Sequence, residues 1–517
     1  VEDSGRAPDS LAGTSVGIFV GARSGDYGDQ VFATDGPSSH VLLGNDMAVL
    51  SGRLANWFGV TGPCLTIDAA CASSLAALHL ASDSIRRGEC GLAIAAGVFV
   101  ASPRFLSMAS AAGLLSTSGQ CRPFSEEADG MVLGDGAGVL VLKPLVRAIE
   151  DGDHIHAVVR ASAMCHNGGA PSLMAPVTRS MRQMIVDLYR NSGTDITTVG
   201  CVEAQGSGSR IGDSAELAAL TAAFKDLGAA PRSCVLGSTK ANVGHSVTAS
   251  GMAAIAKVIT AFRRRHLPEF VGVMTPHRRL GHDDSPFIVS SSVSAWPSQK
   301  VGPLRAGVNS YAFNGVNAHV ILEEYVPSVK SIADDPPYLI PVSARTSSAL
   351  RSRLVDLRRW LEDHDDSLGD VAYTLQVGRQ HHALRKGFVV DDRAMLRDRI
   401  DRALTSGDWL GARGDVAMQS QDSTHKDVAE LVHPGASREE LAALADLYCA
   451  GAAVPFQGLH VSGERRRLSM PGYRFDDCRY WLADEQSSAT SEALTASVPV
   501  AEKISDPPTL SAQELQN

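Results

Sequence analysis

The sequence has no C-x-x-C pair. Its nine cysteines are scattered along 517 residues without metal-ligand spacing, which excludes a zinc ribbon or a dithiol redox motif and leaves reduced, cytoplasmic thiols as the expectation. It has no excess of base: 47 Lys and Arg stand against 57 Asp and Glu, for a net charge of −10. A sequence-independent nucleic-acid binder needs a basic face, so no nucleic acid is expected as a partner. No apolar run reaches the length of a membrane span, and the first residues lack the charged-then-apolar order of a signal peptide, so no membrane partner is expected either. No repeat of short period is visible. What is present is ordinary globular composition, 44% hydrophobic and 20% charged, in a chain too long for one core.

From Ser15 to Glu324 short apolar strands alternate with helical stretches. "SVGIFVG", "LAIAAGV", "AGVLVLK", "CVEA", "CVLGS", "LRAGVNS" and "HVILEE" read as buried strands, and "SSLAALHLASDSIRRG" and "SAELAALTAAFKDLG" as helices between them. This pattern predicts an α/β layered domain with both sheet faces covered. A polar stretch with two prolines, residues 327–337, reads as a linker. In the region that follows, 338–484, Leu350, Leu354, Leu357 and Leu361 fall on one face of a predicted helix. From Glu485 to the last residue, Asn517, the composition is that of a disordered tail.

Three constellations could carry chemistry. In "TIDAACASSLAALHLA" a strand ends at Ile67–Asp68 and a helix starts at or just after Cys71. A thiol at such an elbow sits by unpaired backbone N–H groups and the positive helix end, which lower its pKa; otherwise it is a small buried cysteine packing as a hydrophobe. "GSTKANVGHSVTASGMAAIAKVI" carries Lys240 and His245 in a polar turn before an apolar helix. That histidine could be a thiolate's proton partner or a structural residue. "NSYAFNGVNAHVILEE" holds a turn between two strands whose N–H groups could face an oxyanion, or which is simply a tight hairpin.

Two strings mislead. "GSGSRIG" lacks the Lys–Ser/Thr pair of a P-loop and the spacing of a dinucleotide fingerprint. "DDSLGD", from Asp365, resembles the modification site of a carrier domain, but it stands directly before the helical "VAYTLQVG", where Ser and Asp serve as N-caps.

In this order, "DAACASSLAALHLA", "CRPFSEEADGMVLGDGAGVLVLK", "VEAQGSGSRIGD", "GSTKANVGHSVTASG" and "NGVNAHVILEE" closely resemble the ketosynthase domains of modular polyketide synthases. The resemblance covers about Val1 to Glu324, within an expected ketosynthase domain of residues 1–326. It extends through "IPVSARTSSALRSRL" and "SLGDVAYTLQVGRQHH" to "RRRLSMPGYRFDDCRYWL", which looks like the strap that wraps back over such domains. It implies a thiolase-like fold of paired αβαβα layers with a small α/β flanking subdomain, and a homodimer. By motif, Cys71 matches the acyl-accepting nucleophile, His245 the histidine of the N-V-G-H turn and Lys240 the lysine before it. The backbone N–H groups of Cys71 and Phe313 match the oxyanion hole.

Three departures matter. The family's H-G-T-G-T loop reads Gln205-Gly206-Ser207-Gly208-Ser209 here, so one catalytic histidine is absent. The gate turn G-F-G-G reads Ala312-Phe313-Asn314-Gly315. A complete ketosynthase also opens with a strand and a glycine-rich segment ahead of the stretch that Val1 matches. The domain is therefore expected to be N-terminally incomplete as it stands, with the remainder in more of the same chain or in a separate polypeptide.

A condensing ketosynthase first takes an acyl chain onto its cysteine, then decarboxylates a malonyl thioester and joins the two. The first step needs the thiol, its proton partner and an oxyanion hole, all retained. The second builds an enolate held by two histidines, and a glutamine cannot carry or relay a proton's charge. The expectation is a non-elongating ketosynthase that accepts a chain from an upstream acyl carrier protein onto Cys71 and hands it to the next carrier. The alternatives are a condensing enzyme that tolerates Gln205 and a non-catalytic docking or scaffold element. Substrates would arrive on phosphopantetheine arms, with no bound cofactor and no metal. Nothing reads as the elbow of an embedded acyltransferase or as a carrier domain, so the resemblance is to an assembly line whose acyltransferase acts in trans.

Overall fold

Apolar residues on both faces of the strands decide the architecture. The computed structural model describes residues 1–35, 39–273, 275–296, 302–327, 334–407 and 428–475. The expected tail 485–517, the end of the expected strap and part of the expected linker lie outside them.

The first sheet holds β1 (Val16–Gly21), β2 (Cys64–Ile67), β3 (Leu92–Phe99) and β4 (Gly136–Leu142), in the order β2-β1-β3-β4. The second holds β5 (Val158–His166), β6 (Val199–Glu203) and β7 (Cys234–Gly237). Beyond a two-residue pair, β8 (His266–Leu267) with β10 (Ser294–Ala295), it also takes in β9 (Phe287–Ile288), β11 (Arg305–Tyr311) and β12 (Val316–Glu323). Its order is β5-β12-β11-β6-β7-β9, with β12 antiparallel to both neighbours.

Alternate residues of β1 go opposite ways. Phe19 enters a cluster with Ala93 and Ala95 of β3 and with Leu75 and Leu78 of the helix Ser73–Arg86, whereas Ile18 and Val20 pack outward on Met47, Leu50 and Leu54 of the helix Met47–Phe58. In the second sheet Val308 and Val320 face inward to Ile255 and Val258 of the helix Ser250–Arg264. Val202, Leu236 and Ile321 face outward to Ile185 of the helix Thr178–Asn191 and to Leu217 and Phe224 of the helix Arg210–Asp226. The layers are therefore helix, sheet, a central helix pair, sheet, and helices, the αβαβα order that the family resemblance implies.

The strand order β2-β1-β3-β4 repeats β7-β6-β11-β12, an internal duplication that places each central helix after an equivalent strand. Both helices begin with a one-turn 3₁₀ segment, Ala70–Ala72 and Val247–Ala249, whose first residue has positive φ (48° and 34°). In each, the next helix's first serine hydroxyl donates back to that residue's carbonyl: Ser73 to Ala70 at 2.7 Å, Ser250 to Val247 at 2.9 Å. The two elbows also meet, since Gly251 N–H donates to Ser74 Oγ at 3.0 Å. Close approach of sheet and helix requires Gly21, where a Cβ would lie 2.6 Å from the Ser73 carbonyl carbon.

The flanking region builds on β13 (Tyr338–Ala344) paired antiparallel with β14 (Leu384–Val390). The helix Ser347–Asp363 buries Leu350, Leu354, Leu357 and Leu361 as their spacing predicts, and Ser367 caps the helix Leu368–Val377. This region has its own core but is not a separate body. Buried Arg379 donates to Glu2 O at 2.6 Å and to Met470 O at 3.1 Å, and Arg467 N–H donates to Gly152 O at 2.8 Å.

Candidate active site

Cys71 sits in the middle of the first elbow. Ala70 N–H donates to Asp68 Oδ1 at 2.9 Å and Ala69 N–H to Ser73 Oγ at 2.8 Å, which fixes the turn against the strain of a left-handed alanine. The backbone N–H groups of Phe313 and of Cys71 itself bear on the sulfur, and Lys240 and Arg23 add positive charge; all favour the thiolate. Burial outweighs them and pushes the thiol up to about 11. The lowered pKa expected from the elbow is thus corrected. Its causes are present, but the site is too dry for them to win, and the cysteine is a thiol until a base takes its proton.

A candidate for that base stands on the second elbow. His245 Nε2 lies 3.1 Å from Cys71 Sγ, and burial, reinforced by Lys240, holds the imidazole well below its usual range, so it is neutral. Its Nδ1 is buried without a hydrogen-bond partner among the described residues. Gln205, just after β6, places Nε2 3.4 Å from the same His245 Nε2, while its Oε1 has no partner among the described residues. Because an amide nitrogen only donates, His245 Nε2 is an acceptor toward both the glutamine N–H and the cysteine S–H. Lys240 is buried, which lowers its pKa; Glu216 and Glu203 oppose that shift.

The glycine–serine loop is a cradle for carboxylates of its own chain. Gln205 and Gly206 N–H groups each donate to Glu216 at 2.8 Å, and Ser207 and Gly208 N–H groups donate to Asp213 at 3.0 and 3.1 Å. Phe124 N–H adds a third bond to Asp213, and Asn309 Nδ2 donates to Glu216 at 2.9 Å. These donors are spent, so no phosphate sits there. Gly206 and Gly208 hold the positive φ values the loop needs, and Ser209 Oγ caps the helix that carries both acids. Asp213 and Glu216 were not singled out by motif, although two acids in the first turns of a helix after a donor-rich loop are a capping signal.

The third element is the β11–β12 turn. Ala312 O accepts from Gly315 N–H at 2.9 Å, which orients the peptide whose other end is the Phe313 N–H. Asn314 O accepts from His166 Nε2 at 2.9 Å, and Asn314 Oδ1 from Val316 N–H at 3.3 Å. Of the four turn residues only Gly315 has positive φ (86°), so Ala312 and Asn314 introduce no backbone strain. The fold therefore gathers Cys71, His245, Gln205, Lys240 and Phe313 at one point, from segments far apart in sequence. Chemically, a neutral imidazole can take a thiol's proton as sulfur attacks a carbonyl, and the Cys71 and Phe313 N–H groups that bear on the sulfur can donate to an oxyanion formed beside it.

Comparison with known proteins gives a consistent result. The model of the beta-ketoacyl synthase N-terminal domain matches residues 1–148, that of its C-terminal domain residues 156–274, and the RhiE-like KS-MAT linker domain residues 342–408. Polyketide synthase PksN of Bacillus subtilis is 33% identical over 96% of this chain, and polyketide synthase ThaG of Burkholderia thailandensis 34% identical over 93%. The chain spans only 10% and 9% of their lengths. Among solved structures, the ketosynthase from module 6 of the Bacillus subtilis bacillaene synthase aligns with TM-score 0.83 at 29% identity, covering 93% of this chain and 83% of that one. The oxazolomycin ketosynthase domain OzmH KS7 of Streptomyces albus aligns with TM-score 0.81 at 30% identity, covering 93% and 81%.

Proposed function

Since the chain belongs to the beta-ketoacyl synthase family, as a ketosynthase domain of the modular polyketide synthase type, we propose that it is a non-elongating ketosynthase. It takes an acyl chain from the phosphopantetheine arm of one carrier protein and passes it to the next without adding carbon. Cys71 Sγ attacks the thioester carbonyl while its proton moves to His245 Nε2. The oxyanion forms against the Cys71 and Phe313 N–H groups; then the C–S bond to pantetheine breaks and the departing thiolate takes the proton back. Transfer to the next carrier is the same sequence reversed. Lys240 balances buried Glu216, which holds the loop, and buried Glu203, which accepts from the Thr239 N–H and pairs with Lys257.

The observation that carries the reading is the amide of Gln205 where the family pattern has a second imidazole, 3.4 Å from His245. Gln205 donates a neutral hydrogen bond, but it brings no proton to the enolate that decarboxylation of a malonyl thioester creates. Loss of one oxyanion donor costs about 10²–10³ in rate. The retained N–H at that position supports a second reading, a condensing enzyme slowed rather than stopped.

Incubation with an acyl-pantetheine thioester and then with a free holo-carrier tests transfer directly. Intact mass should give one acyl adduct, absent in Cys71→Ala, and the same acyl group should then appear unchanged on the carrier. An adduct that persists in Cys71→Ala contradicts the assignment, and no adduct at all leaves the scaffold reading.

A further inference from the structure

Arg23 gives the site a cation that the transfer just described does not use. It follows β1 by two residues. The Cα of Gly21, which ends β1, abuts the backbone of Ser73, and Ala22 N–H donates to Ile67 O, the end of β2 and the lead into the Cys71 elbow, at 3.0 Å. The guanidinium carbon lies 4.3 Å from the centroid of the Phe105 ring, and Phe105 meets Phe99 edge-on at 5.5 Å. Phe99 belongs to the buried cluster that contains Ala69, Ala70, Cys71 and Ala312, and Phe105 packs against that cluster. The half-buried arginine is thus held on an aromatic pair that belongs to, and packs on, the same core cluster as the thiol.

A guanidinium so placed is ordinarily matched by a carboxylate, because partial burial of an unpaired charge is unfavourable. Among the described residues no carboxylate pairs with Arg23. The nearest acids in sequence are engaged elsewhere: Asp26 accepts from the Arg104 N–H at 3.3 Å, and Asp29 pairs with the Arg104 guanidinium. Lys240, the other cation acting on the thiol, faces Glu216 and Glu203. The hydrophobic cluster that holds Cys71, with Leu75, Val247 and Ala312 among its members, offers an anion nothing.

We propose that Arg23 is a specificity-determining residue for the acyl group: the site takes acyl thioesters that carry a carboxylate a few carbons from the thioester, with that carboxylate seated on the Arg23 fork. The fork binds a planar carboxylate through two parallel N–H bonds, a geometry that a hydroxyl or ketone oxygen uses only by half. The phosphate of the carrier arm does not compete, because a whole pantetheine separates it from the thioester sulfur. The inference rests on the reading of Cys71 as the acyl acceptor.

The test compares succinyl- and butyryl-pantetheine, equal in chain length and different in the terminal group, by intact mass on the full chain. Succinyl should load onto Cys71 about tenfold faster or more, and Arg23→Gln should erase the preference. A second measurement needs no acyl transfer. Iodoacetate and iodoacetamide both alkylate Cys71 as Sγ displaces iodide and the thiol proton leaves. The iodoacetate-to-iodoacetamide rate ratio at the Cys71 peptide should fall about tenfold in Arg23→Gln. Should that variant fail to fold, Arg23→Lys keeps the charge without the fork and should lower both preferences. Equal loading of the two acyl groups, or an alkylation ratio indifferent to Arg23, overturns the proposal. Absence of any acyl adduct with the alkylation ratio still dependent on Arg23 refutes the transfer reading and leaves the anion site standing.

Discussion

Gln205 Nε2 and Cys71 Sγ converge on one atom, His245 Nε2, at 3.4 and 3.1 Å. That single nitrogen accepts from the glutamine amide and is placed to take the thiol's proton. The pair of histidines that a condensing site uses is here one histidine and one amide.

A neutral, buried His245 fixes the pH behaviour. Its pKa lies well below the ordinary 6.5, so the base form persists as pH falls from 8 to 6, where an ordinary histidine would be mostly protonated. Acyl loading should hold nearly constant over that range. Alkylation of Cys71 by iodoacetamide should keep rising beyond pH 9, toward the thiol's value of about 11. His245→Ala should lower the loading rate by about 10²–10⁴, the usual worth of a positioned base. A loading profile that drops with a midpoint near 6.5 would contradict the assignment.

Asp213 organises the loop that carries Gln205. It accepts from three backbone N–H groups, of Ser207, Gly208 and Phe124. In Asp213→Asn an NH₂ group must face one of these donors, so folding stability should fall by about 1–3 kcal/mol. Chemical denaturation would measure this; an unchanged midpoint would mean that the loop is held from elsewhere.

The elbow depends on Gly21. An alanine there would bring Cβ to 2.6 Å from the Ser73 carbonyl carbon and push the helix Ser73–Arg86 away from β1. Gly21→Ala should cost about 1–3 kcal/mol, as overpacking does, and should slow acyl loading as well. Full stability with full loading would show that the helix is free to shift.

Strand β2 pairs only with β1 among the described residues, and Leu65 within it is half exposed. An open, partly apolar edge beside the nucleophile fits pairing with a second copy. Light scattering should return twice the chain mass, and Leu65→Lys should shift it toward the monomer. A monomer at micromolar concentration would contradict the dimer.

Much of this was legible in the sequence, for physical reasons. Six of the seven strands read as apolar runs are buried on both faces, whereas β4 exposes Ala137 and Val139 and is held by its pairing with β3. Strand β5 was not named because Arg160 and Ser162 break its apolar run. Cys71, His245 and Gln205 stood out because each follows a strand and begins or precedes a helix, the position from which side chains enter a shared cleft. The thiol's raised pKa was not legible, because burial belongs to the packed layers and not to the motif. Arg23 was missed because a lone arginine after a strand carries no pattern; only the Phe105 ring beneath it and the missing carboxylate set it apart.

The central claim is that Gln205 separates transfer from condensation. The unmodified protein, first loaded at Cys71 with an acyl chain, is given malonyl-carrier and the carrier is weighed. The account predicts a loaded cysteine and no β-ketoacyl product on the carrier. A chain two carbons longer on the carrier would contradict it.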